Sequence, residues 1–197
     1  MTDKTSQFHE DAVAACRASL NDEATGPDWF AARRRNALAR FDTMGLPTRK
    51  IEDWKYTSLR LLNQARFRPA PVAAAQMAPV KEPAGLPDLG GPRIVFVNGL
   101  YNEARSRIEG LPEGVTILPL ARALEEKSDL LRPILGDDDV EEDSLRALNA
   151  ALLTDGLFLH VASGVELKHP ITVVHVAGLQ STDKHDSDAE TAGAETA

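Results

Sequence analysis

The chain has 197 residues, 43% of them hydrophobic, with 30 acidic against 22 basic side chains and a formal net charge of −8. That length holds one sizeable core, or one domain and part of a second, and the acidic balance disfavours binding to nucleic-acid phosphates or anionic membranes. The single cysteine, Cys16, excludes an intrachain disulfide and cannot alone complete a cysteine-based zinc or cluster site. The polar start of the chain lacks an apolar signal core, and no apolar run is long enough to span a bilayer, so the cytoplasm is the expected compartment.

In chain order, Phe8, Ala12, Ala15, Cys16 and Leu20 recur at helical steps and predict an amphipathic helix ending near Asn21. Cys16 falls on the apolar stripe, where a small buried residue is expected rather than a reactive thiolate. Asp28 is the expected N-cap of a second helix that places Trp29, Phe30, Arg33, Ala37, Leu38, Phe41 and Met44 largely on one side and stops at Gly45-Leu46-Pro47. Arg33, Arg34 and Arg35 are read as a solvated face paired with Asp28 or Asp42. The following run, Pro47 to Leu59, concentrates charge and aromatic bulk. Trp54 and Leu61 lie a helical two turns apart, and a helical turn there would make Trp54 a core anchor surrounded by Arg49, Lys50, Glu52, Asp53 and Lys55. No nucleophile-base pair accompanies these carboxylates, which speaks against catalysis.

Residues 69–92 are rich in Pro and Gly and read as an extended linker. Arg93 to Val97 then reads as a buried strand, Asn98-Gly99 as a tight turn and Leu100 to Asn102 as the return, with Val115 to Leu118 as a further strand of the same hairpin. Leu120 to Lys127 and Ser144 to Leu153 are expected helices, the second capped by Asp143 or Ser144 and turning Leu145, Leu148, Ala151 and Leu152 inward. The acidic run Asp137 to Asp143 lacks the register of a calcium loop and reads as a solvated loop before a helix. Gly156 to Val161 and Pro170 to Val176 are expected strands. Residues 181–197 hold no Val, Ile, Leu or aromatic residue and are expected to be disordered.

Three segments, Pro47 to Leu59, Phe96-Val97-Asn98-Gly99-Leu100-Tyr101 and Leu148 to Gly156, together resemble the N-terminal region of the SufD family of the SUF iron-sulfur cluster assembly system, which shares its later fold with SufB. The resemblance covers about residues 8–177 and implies an α+β chain whose parts follow one another. These are an N-terminal helical region (1–68), a linker (69–92), a mixed α/β region (93–155), the first rung or rungs of a right-handed parallel β-helix (156–177) and a tail (178–197). It further implies a truncated, non-catalytic assembly subunit that works with SufB and the separate ATPase SufC and supports iron entry, the alternative within the family being a fragment of a SufB-type scaffold subunit. An iron-sulfur cluster would be present only transiently in the assembled complex. The family's cluster-assembly residues lie beyond Ala197, so no catalytic, cofactor-binding or metal residue is assigned here.

Two alternatives arise from the residues. His160, His169, His175 and His185 gather near the C-terminus, and His160 and His175 would face one side if adjacent rungs aligned, suggesting a metal-binding enzyme; the expected role of both is strand packing or solvent exposure. A single-strand nucleic-acid module built on Arg33 to Arg35 and Trp54-Lys55-Tyr56 is opposed by the overall charge.

Overall fold

The computed structural model describes residues 6–21, 26–67, 85, 87–136 and 143–177. Most of the expected linker, the acidic run over 137–142 and the C-terminal tail lie outside the described residues. The chain divides into two compact units, each drawn from two separate stretches: Met1–Pro69 with Pro112–Glu166, and Ala70–Leu111 with Leu167–Ala197.

In the first unit, α1 (Gln7–Leu20) starts where the Ser6 side chain accepts the His9 backbone N–H, leaving one fewer orphan donor at the helix start. α2 (Asp28–Met44) starts differently from expectation. Pro27 is its N-cap, with no side-chain cap, and Asp28 is its first residue. Its end is as expected, with the Gly45 N–H bonded to the Phe41 carbonyl at 2.7 Å. A five-residue helix, α3 (Arg60–Gln64), precedes Phe67, whose ring meets that of Phe8 edge-on at 5.4 Å.

β3 (Val115–Pro119) runs into α4 (Leu120–Glu126), then α5 (Ser128–Leu135), α6 (Ser144–Leu152) and β4 (Leu157–Val161). The α5 segment carries Pro133 inside it and is a helix that periodicity did not reveal. The Asp143 carboxylate caps α6 by accepting from the Leu145 and Arg146 N–H groups. β3 pairs antiparallel with β4, Ile117 opposite Leu159, so β3 does not extend the hairpin that precedes it.

The helical core joins α1, α2 and α6 through Phe8, Ala12, Cys16, Leu38, Phe41 and Leu148. Small residues at Ala37, Ala147 and Ala151 let helices approach closely, which raises dispersion contacts per unit length. A second cluster sets Phe30 against Leu118, Leu120, Leu124, Leu131 and Phe158. Trp29 borders it and donates its indole N–H to Ser128 Oγ at 3.0 Å.

The second unit is a three-stranded sheet in the order β2-β1-β5. β1 (Arg93–Val97) is central, and its apolar run Ile-Val-Phe-Val is buried throughout, as a strand covered on both faces requires. Asn98 and Gly99, at φ 51° and 85°, form the tight turn to β2 (Leu100–Tyr101), matching the twist of an antiparallel pair. β5 (Thr172–Val176) lies parallel to β1, Val95 opposite Val174 and Val97 opposite Val176, and these four valines form one buried cluster. The parallel register demands a long crossover, which the chain supplies through its intervening stretch.

β4 and β5 therefore belong to different sheets and do not pair as successive rungs. The class is α+β, with small sheets. A parallel β-helix is not shown by these strands; strand pairing is nonlocal, and β5 finds its partner nearly eighty positions upstream.

Close packing at the entry to β1 supports a stability prediction. A Cβ on Gly91 would stand 2.2 Å from the Pro170 carbonyl oxygen, a backbone atom that cannot swing aside. Gly91→Ala should lower stability by about 1–3 kcal/mol, the usual cost of overpacking, whereas Gly99→Ala, with open space around it, should carry only the cost of its positive φ. Urea melts of both variants measure the difference.

Candidate interaction surface

The charged aromatic run lies between two fixed points. Before it, Leu46 and Pro47 are buried, Leu46 within the helical core. After it, Leu62 and Phe67 pack against that core, the Phe67 N–H donates to Asp11 Oδ2 at 3.1 Å, and Arg66 stands 3.6 Å from the same oxygen. Between them the backbone is wound by local hydrogen bonds from Ile51 N–H to Thr48 O, Trp54 N–H to Ile51 O, Lys55 N–H to Glu52 O and Thr57 N–H to Trp54 O. Glu52–Trp54 is a single 3-10 turn. Arg49 Nε closes the loop by donating to the Lys55 carbonyl at 3.1 Å.

This shape overturns the core-anchor expectation for Trp54. The run is not one helix. Trp54 is half-buried and belongs to neither helical-unit cluster, while Tyr56 is 88% and Leu61 82% exposed. Lys55 Nζ sits 5.5 Å from the Tyr56 ring centroid and 3.6 Å from Glu52 Oε1. The run exposes an aromatic ring at Tyr56 and, at the start of α3, an aliphatic side chain at Leu61, in a stretch that also exposes the cations Arg49, Lys50, Lys55 and Arg60 and the acids Glu52 and Asp53, a mixture suited to contact with another molecule.

The run Arg33-Arg34-Arg35 on α2 also departs from expectation, since of these three only Arg35 is exposed. Arg34 is 1% exposed and donates Nε to the Ala151 carbonyl at 3.0 Å and Nη2 to Ser19 Oγ at 2.9 Å. Burial holds its pKa below the ordinary guanidinium value, with Cys16 acting in the opposite direction. Arg33 is buried too, and its Nε and Nη1 have no hydrogen-bond partner among the described residues. Asp42 is engaged from α1, accepting from Arg17 Nη2 at 3.1 Å and lying 3.3 Å from His9 Nε2. His9, which the sequence did not single out, is buried with its ring 4.9 Å from that of Phe41.

Cys16 is buried as expected. Desolvation raises its thiol pKa to about 11, the Arg34 charge opposing the rise. With an unfolded value near 9.0, the folded state holds the proton more tightly; this contribution is intact below pH 9 and is lost as pH rises toward 11. Wild-type stability should fall across that window, and Cys16→Ala should flatten that part of the slope, as chemical denaturation at a series of pH values would record.

His160 and His175 lie on strands of different sheets. His160 lies on β4 above Phe158, with ring centroids 6.4 Å apart, and His175 lies on β5 stacked on Phe96 at 5.1 Å. His169 lies next to Gly90 and Gly91, and His185 is outside the described residues. Among the described residues no group of three or more His, Cys, Asp or Glu side chains is arranged to hold a metal ion. No described helix is long and apolar enough to cross a membrane.

The family model described as the SufBD protein N-terminal region matches residues 7–173, and the chain belongs to that family. It is similar to an iron-sulfur cluster assembly SufBD family protein of Synechocystis sp. (strain ATCC 27184 / PCC 6803 / Kazusa), with 24% identity over 182 residues, 90% of this chain. The chain spans about 40% of the length of that relative.

Proposed function

We propose that this chain is the N-terminal region of a SufD-type subunit in a cytoplasmic scaffold that assembles iron-sulfur clusters with SufB and the ATPase SufC. The observation carrying this reading is the family match over residues 7–173. The cluster is cargo of the assembled complex, and iron entry is the step this subunit supports. Its ligands come from outside the present chain, since the one cysteine is enclosed by the helical core and its raised pKa keeps it protonated near neutrality. The parallel β1–β5 pair is compatible with a right-handed parallel β-helix continuing in a longer form of the protein.

Co-expression with the cognate SufB and SufC, followed by size-exclusion chromatography and anaerobic incubation with iron and sulfide, tests this reading. The expected result is a co-eluting complex that gains visible cluster absorption while the isolated chain gains none. A stoichiometric cluster on the chain alone, or failure to co-elute, would overturn it.

A further inference from the structure

Resting on that reading, we propose that the run carrying the exposed Tyr56 and Leu61, with the half-buried Trp54 and the cations Arg49, Lys55 and Arg60, docks an acid-rimmed apolar groove on the SufB–SufC partner. Tyr56 and Leu61 are almost wholly exposed, although each would gain by burial. Their loop is wound by its own hydrogen bonds and fixed at both ends. Little backbone freedom therefore remains to be lost on binding, and preorganisation of this kind favours affinity.

Charge selects the partner. Residues 47–61 hold four cations against two acids on a chain of net charge −8, so the loop is a basic island in an acidic protein. An acidic groove would be repelled by most of this chain and attracted at the island, which orients the encounter. A phosphate backbone would meet the same general repulsion, and the exposed leucine offers such a ligand nothing. An exposed aromatic and an exposed aliphatic side chain in a run with a net excess of cations instead match the apolar centre and polar rim of a protein interface.

The test measures binding of the full-length protein to purified, immobilised cognate SufB–SufC. The double variant Tyr56→Ala/Leu61→Ala should raise Kd by about 30-fold or more, as loss of a central contact does. Arg60→Glu should slow association, with the effect shrinking at high salt. Exposure predicts that thermal melts of both variants match the parent. Leu159→Ala, a partly exposed apolar position on β4, serves as the control and should bind as the parent does.

Parent binding that the loop variants leave unchanged would overturn the docking face while leaving the proposed function intact. No binding by the parent would overturn both. Self-association of the parent that Tyr56→Ala/Leu61→Ala abolishes would assign the face to a second copy and overturn the partner named here.

Discussion

Phe41→Ala should destabilise the helical unit by about 3–5 kcal/mol, the range for truncating a large aromatic in a packed core. Phe41 is fully buried on α2, packs in the cluster that joins α1, α2 and α6, and carries the His9 ring against its own. Truncation leaves a cavity bordered by helices on several sides, where a local backbone shift would disturb other contacts. Trp54→Ala, although it removes the larger side chain, should cost only about 1–2 kcal/mol because the indole is half-buried outside both clusters. Urea denaturation of the two variants gives the comparison. A Trp54→Ala cost equal to or above that of Phe41→Ala would mean that the loop is a core element.

The second large effect is expected at Arg34. Ala151 lies in the last turn of α6, where carbonyls lack intrahelical partners, and the Arg34 guanidinium satisfies that oxygen while also reaching Ser19 near the end of α1. A cation beside the C-terminal ends of helices is also electrostatically favourable. Arg34→Ala strands a buried carbonyl and empties the space of a long side chain, which together should cost about 2–4 kcal/mol. Arg34→Lys should recover only part of this, because an ammonium lacks the planar fork that serves two acceptors at once. If Arg34→Ala melted within about 0.5 kcal/mol of the parent, the guanidinium would have no structural role.

The same arginine shows what the sequence conceals. Helical spacing places position 34 on the same broad stripe as Phe30, Ala37, Leu38 and Phe41, but charge suggested solvent, and only the carbonyl at the end of α6 explains its burial. Local signals served well where local physics decides. The period of α1, the run of β1, the Asn98-Gly99 turn and the Asp143 cap each act over a few residues. Strand partnership does not, so the pairing of β3 with β4 and of β1 with β5 was hidden. Pro133 masked α5, because a proline toward the end of a short helix reads as a breaker. For the candidate surface, composition singled out the segment and misjudged its environment. Bulk at Trp54 suggested a core anchor, whereas Trp54 is half-buried outside both clusters and the neighbouring Tyr56 is exposed.

Hydrogen-deuterium exchange on the full-length protein, alone and with cognate SufB–SufC, tests the central claim most directly. The amides of Ile51, Trp54, Lys55 and Thr57 close the turns of the displayed loop, and they should exchange markedly more slowly in the complex than in the free protein. A complex that forms while these amides exchange at their free rate would contradict the assignment of this loop as the docking surface.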